Sequence, residues 1–196
     1  MLAVMTIDQR GSRGDIDRVD HLIAELRRDV TSNPVLAFER TAGDEIQGVL
    51  SEPELVVELS LRCMRAAHWA IGIGLGSIRT PIPDSTRKAT GSAFEHARDA
   101  VNSAKSALEA VAVRGPNPGA SRYAEAVFAT LATLLRRRSA AGWQAVDLIG
   151  AGRTQTEIGE ILGISKQAVS QRLTAAAWWQ EQGLRPVAAH LLTEAA

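Results

Sequence analysis

Residues Thr154–Leu173 read TQTEIGEILGISKQAVSQRL. Ile158, Ile161 and Leu162 recur at helical spacing and predict a short helix with one apolar face. Gly163 follows where a tight turn needs a residue without a β-carbon. Ile164 plugs the corner, and Ser165 is placed to cap a second helix by accepting from its free N–H groups. Ala168, Val169 and Leu173 turn that helix inward, while Lys166, Gln167, Ser170, Gln171 and Arg172 form a polar outer face. Small Gly159 stands where the two helices must approach. The pattern is a helix-turn-helix whose outer side chains suit base edges and phosphates rather than forming a solvated Glu/Lys face. Thr154, Gln155, Ser165, Lys166, Gln167, Ser170, Gln171 and Arg172 are the residues expected at double-stranded DNA.

Around this stretch lies a chain of 196 residues with 22 Lys+Arg and 22 Asp+Glu. The halves differ slightly. Met1–Gly119 holds 14 basic and 16 acidic residues, and Ala120–Ala196 holds 8 and 6. The excess of +2 beside the helix-turn-helix is too small for strong sequence-independent affinity as a monomer, because that affinity grows with the phosphates neutralised. A homodimer would double the contacts. The single cysteine, Cys63, lies in an apolar context and excludes both an intrachain disulfide and a zinc cluster. Asp8 and Arg10 interrupt the N-terminus before an apolar core of useful length forms, and no apolar run is long enough for a bilayer. A cytoplasmic protein without membrane attachment is expected.

Taken in order, Leu2–Ile7 reads as a buried strand ending at Asp8, and Gln9–Gly14 as a glycine-rich turn. A helix is predicted from Ile16 to Val30, broken by Asn33-Pro34. Val35–Ala42 and Glu45–Leu50 pair around a Gly43-Asp44 turn. Pro53 opens a helix running to about Ala67. Trp69–Leu75 is a strand whose Gly72 and Gly74, with Gly76 just after it, mark close backbone approach. A loop follows to Thr90, then a helix from Ser92 to about Leu108 and a short strand at Val111–Val113. Arg114–Ser121 reads as a linker. The remainder reads helical, with breaks after Arg138, Ala151 and Gln182 and a last helix after Pro186. Trp178 and Trp179 point about 100° apart on a helix, so both cannot bury in one small core, and one is left for a surface or a dimer contact. The expected fold is α+β: a ferredoxin-like domain (residues 1–114) with a largely antiparallel sheet and helices on one side, a linker (115–121), and an all-α helix-turn-helix domain (122–196).

In such a core the first strand lies beside the hairpin, which brings Asp8 near Asp44. Two carboxylates at one spot repel unless a cation bridges them, and Mg²⁺ uses one or two carboxylates plus substrate phosphates. The adjoining loop, Gln9, Arg10, Gly11 and Ser12, presents N–H groups that suit a phosphate. Arg79, Arg87 and Lys88 of the long loop are candidates to close over a triphosphate. Arg136-Arg137-Arg138 suits either a helix C-terminal dipole or the DNA backbone. The four histidines are dispersed, and no nucleophilic triad is present.

Several segments carry a family resemblance. RTAGDEIQGVL (Arg40–Leu50) resembles the R-x-G-G-D-E-F hairpin of diguanylate cyclases and the K-x-x-G-D hairpin of class III nucleotide cyclases, with Arg40 at the Lys position. WAIGIGLGSI (Trp69–Ile78) and TGSAFEHARDAV (Thr90–Val101) resemble the class III strand and following helix. Taken whole, the chain resembles the SatD family of bacterial proteins. The resemblance implies a cyclase-like N-terminal domain, Asp8 and Asp44 as Mg²⁺ ligands, Glu45 as a further ligand by the diguanylate-cyclase analogy, and Arg40 at the nucleotide. It also marks a departure: the Asn and Arg of the cyclase helix fall on Glu95 and Asp99, and acids there oppose the charge that develops in phosphoryl transfer. No catalytic residue is therefore assigned. The combined expectation is a DNA-binding transcriptional regulator whose degenerate domain binds ATP or GTP with Mg²⁺. The alternative is an active cyclase or nucleotidyl-transfer enzyme with a DNA-binding tail.

Overall fold

The computed structural model describes residues 1–29 and 34–196. The predicted helix end at Val30 and the break at Asn33 lie outside the described residues. The chain begins β1 (Ala3–Gln9), α1 (Val19–Asp29), β2 (Leu36–Ala42), β3 (Glu45–Leu50), α2 (Pro53–Ala66), β4 (Trp69–Leu75), α3 (Ser92–Ser106) and β5 (Val111–Arg114). Five helices follow: α4 (Pro118–Arg136), α5 (Ala140–Gly150), α6 (Gln155–Leu162), α7 (Lys166–Ala175) and α8 (Trp178–Ala195).

The strands order as β2-β3-β1-β4-β5. β1 is antiparallel to β3 and to β4, and β2 to β3, so the first four strands have the ferredoxin-like order. β5 runs parallel to β4, which makes the sheet mixed. β1 runs one residue past Asp8, to Gln9. It is buried at all seven positions because it sits between two strands with both faces covered.

Helices cover both faces, not one. Ala3, Met5 and Ile7 of β1 share a core with α1, α2, α4 and α8, through residues such as Leu26, Leu59, Phe128 and Leu192. The other face belongs to α3. There Val4 and Val49 meet Ala93 and Ala97, and Ala70 meets Ala100, Val101 and Ala104. The glycines of β4 permit this contact. A β-carbon on Gly72 would fall on the backbone nitrogen of Val101, and one on Gly74 on that of Ala97. On the opposite face Gly48 lies beneath the Phe38 ring, where a β-carbon would come within 2.7 Å of it.

Two expectations change in the C-terminal part. The linker is shorter, because α4 already starts at Pro118: the Asn117 side chain accepts from Ala120 N–H, so a sequence that reads as a breaker is a capped helix start. Pro186 lies inside α8 and does not end it. Ala188, Ala189, Leu192 and Ala195 bury against the main core, and that packing holds the helix through the lost hydrogen bond. Consequently α4 and α8, expected within a separate domain 122–196, belong to the core of the sheet. Only the segment between them forms its own cluster, from Ala145, Val146, Ile158, Val169, Leu173 and Ala176. Cys63 is fully buried, and burial pushes its thiol pKa up to about 12.

Candidate functional site

The small lobe is built by α5, α6 and α7. α6 opens with a capping box: Thr154 Oγ1 accepts from Glu157 N–H, and the Glu157 carboxylate accepts from Thr154 N–H at 2.7 Å. It closes on Gly163 in the left-handed conformation (φ 65°), as the turn requires. Gly159 has no room for a β-carbon, which would lie 2.8 Å from the Ile164 carbonyl oxygen. Ser165 caps α7 by accepting from Ala168 N–H at 3.2 Å. Ser165→Ala is expected to cost about 1 kcal/mol of stability, with Ser165→Asp close to neutral; urea unfolding of the two variants measures this.

Val169 and Leu173 hold α7 to the lobe core, as their spacing predicted. Ile161 does not join them. It is 55% exposed. Along the outer side of α7, Lys166, Gln167, Ser170, Gln171 and Thr174 are exposed. Gln167 and Gln171 stand one above the other, four residues apart. Arg172 is half-buried and lies about 100° round the helix from Gln171, on the flank rather than the crest. Thr154 is exposed beside the turn and Gln155 half-buried. Thr174 was not among the predicted contacts, although the 167–171–174 spacing placed it on the same ridge.

The lobe is fastened by charges and one indole. Trp143 of α5 packs against both cores. The Arg65 and Arg138 guanidinium groups lie over its ring at 4.0 and 4.3 Å. Arg65 of α2 also makes a two-pronged pair with Asp147. Arg138 is buried against Glu181 at 2.7 Å, and Arg185 joins Glu181 to Glu58. Two of the three consecutive arginines are thus used internally, since Arg136 pairs with Glu109. The Arg136 guanidinium holds Glu109 below the usual carboxylate range. Of the tryptophan pair, Trp178 packs on the lobe core and Trp179 is 54% exposed.

A second concavity, of about 570 Å³, lies at the end of β1. Asp8, Gln9, Arg10, Gly11, Ser12, Asp44 and Lys105 line it. Asp8 and Asp44 therefore share one concavity, close enough for their charges to interact, beside the loop that carries left-handed Gly11 (φ 69°). Burial raises the Asp8 pKa, with Asp44 adding to the rise and Lys105 opposing it. The Lys105 ammonium lies 2.7 Å from Asp8 Oδ2. No local pattern could have announced that contact: 97 positions separate the two residues, and only the packing of α3 on the sheet joins them. The Gln9 amide is engaged by the loop that follows. It donates to the Ile16 carbonyl and accepts from Arg18 N–H, which fastens the loop.

Arg40, Arg87 and Lys88 are not among the lining residues, although Arg40 lies close enough to Asp44 for their charges to interact. Arg40 is held by Asp17 and the Gly43 carbonyl, both at 2.6 Å. Lys88 pairs with Asp84, and Arg87 lies beside Glu39, where the loop covers β2. Glu45 accepts from the Thr41 hydroxyl at 2.7 Å and does not line the cavity. Glu95 and Asp99 are exposed on α3 and are absent from the lining as well. Among the described residues no group of three or more His, Cys, Asp or Glu is placed to hold a metal. The donor set fits Mg²⁺ only in company with phosphate oxygens, since two carboxylates are enough in that case.

Residues 134–177 match the family described as Sigma-70, region 4, a helix-turn-helix DNA-binding region. The match spans less than a quarter of the chain, and it covers the end of α4 and the whole lobe. No curated protein and no solved structure matches the chain. The lobe is therefore a DNA-binding helix-turn-helix by both geometry and sequence, with a role connected to transcription. Among the described residues no helix is long and apolar enough to cross a membrane.

Proposed function

We propose that the chain is a sequence-specific transcriptional regulator of the cytoplasm, which acts as a homodimer on a pseudo-palindromic site and takes a purine nucleotide with Mg²⁺ as its effector. The observation that carries this reading is the exposed polar ridge of α7, on a helix-turn-helix that matches Sigma-70 region 4 and has its own core. α7 lies in the major groove, with Lys166, Ser165 and Thr154 toward the backbone and Arg172 reaching a phosphate from the flank. Two copies offset the small charge of one lobe.

The cavity at Asp8 supports the effector half of the reading. Asp8 and Asp44 hold Mg²⁺ jointly with the phosphates, while Arg10, Lys105 and the amides of Gly11 and Ser12 meet the remaining phosphate oxygens. Ligand binding shifts the chain only through differential affinity for two arrangements, and the lobe, tied to α2 by Arg65–Asp147, is the element to be biased. Two measurements test the halves separately. Gel shift of genomic fragments at fixed salt is expected to show retarded bands that survive excess competitor DNA; their absence removes the regulator. Calorimetry with ATP and GTP, with and without Mg²⁺, is expected to show binding that Asp8→Ala and Asp44→Ala each weaken at least tenfold. Unchanged binding in both variants removes the site, and accumulation of a cyclic product replaces the effector by a substrate.

A further inference from the structure

We propose that Gln167 and Gln171 each read an adenine, so that the half-site recognised by α7 carries two A·T pairs about two base steps apart. This rests on the DNA-binding reading and goes beyond it by naming the bases. A glutamine amide matches one base edge especially well: Nε2 donates to adenine N7 while Oε1 accepts from the N6 amino group. Both glutamines are exposed on the crest of α7, and neither amide is engaged within the described residues. Four residues of helix rise about 6 Å, close to two base-pair steps of 3.4 Å. The pair therefore spans two positions rather than sharing one.

The neighbours reinforce the choice. Guanine is most often read by a bidentate Arg, and the one arginine of α7, Arg172, is half-buried on the flank. Lys166, on the opposite flank in the first turn, is a compact charge suited to a phosphate. Ser170 and Thr174 are short and let the glutamines approach the groove floor. Ala175, exposed one turn beyond Gln171, offers an apolar surface for a thymine methyl group.

Selection of sites from a randomised duplex pool with the full chain tests this. Two adenines at the stated spacing are expected in each half-site, with Gln171→Arg changing the preference at one of them from A to G and Gln167→Arg at the other. Gln171→Ala is expected to reduce discrimination at its position by roughly 5- to 150-fold while affinity for unrelated duplex stays the same. Replacing each selected adenine by 7-deazaadenine removes N7 without altering pairing and is expected to weaken binding by the wild-type chain. Both glutamines are exposed, so unchanged melting curves verify that the variants fold. A selected motif that keeps the same bases in both arginine variants, or that is insensitive to the deaza substitution, overturns the assignment while leaving DNA binding intact. Failure to bind any duplex overturns the DNA reading and this inference with it.

Discussion

Glu181→Ala is expected to destabilise the chain by about 3–5 kcal/mol in urea unfolding. Glu181 and Arg138 are among the most deeply buried charged groups, with side chains 3% and 1% exposed. The Glu181 carboxylate accepts from Arg138 Nη2 at 2.7 Å, and from Arg185 Nε and Nη2 at 3.0 and 2.6 Å. Without it, Arg138 keeps, among the described residues, the Ala176 carbonyl and the face of Trp143. An ionised group left without its counter-charge in a dry environment carries most of its desolvation cost. A loss of this size takes a large share of the 5–15 kcal/mol by which domains are ordinarily stable. The two-residue replacement Arg138→Met with Glu181→Leu separates charge from packing and is expected to be far less damaging than either single loss. Arg138 and Ala176 stand at the entry to and exit from the small lobe, so Glu181→Ala should also loosen the lobe and shift the Trp143 fluorescence before global unfolding. A Glu181→Ala chain as stable as wild type would mean that Arg138 finds water or another acceptor.

Gly74→Ala is expected to cost about 3 kcal/mol, at the upper end of what one inserted methyl group costs in a packed core. The new carbon would fall on the backbone of α3, at Ala97 N and the Ala93 carbonyl oxygen. Backbone atoms cannot rotate away as a side chain does, so α3 itself must move off the sheet. Because the collision is with backbone, Ala97→Gly is expected not to rescue Gly74→Ala. Rescue would show that the helix rides on side chains. Urea unfolding followed by circular dichroism measures both. The displacement would also separate Lys105 from Asp8, since α3 carries that lysine to the cavity.

The apolar run of β1, the Gly43 turn, the Pro53 helix start and the turn at Gly163 could all be read from neighbouring residues, because each obeys a local rule. Gly72 and Gly74 announced close approach without saying to what. Other features ran against the local reading. Pro118-Gly119 resembles a break yet starts a helix, because Asn117 caps it. Pro186 resembles a stop yet lies in a continuous helix, because an apolar stripe beyond it is held by α4 and α2. Arg40, Arg87 and Lys88 looked available to a phosphate, and their carboxylate and carbonyl partners became visible only in three dimensions.

The twenty residues from Thr154 to Leu173 determined by themselves that a helix-turn-helix is present, since its helices, caps and turn depend on residues within reach of one another. They also determined that its outer surface is polar, because helical periodicity sorts side chains without reference to the rest of the molecule. Only the tertiary structure decided how that reader is mounted. It put α4 and α8 on the sheet, closed Arg138 on Glu181, and set Lys105 against Asp8. Each of these depends on burial or on charge pairing between distant segments, and such energies come into being only when the segments have packed.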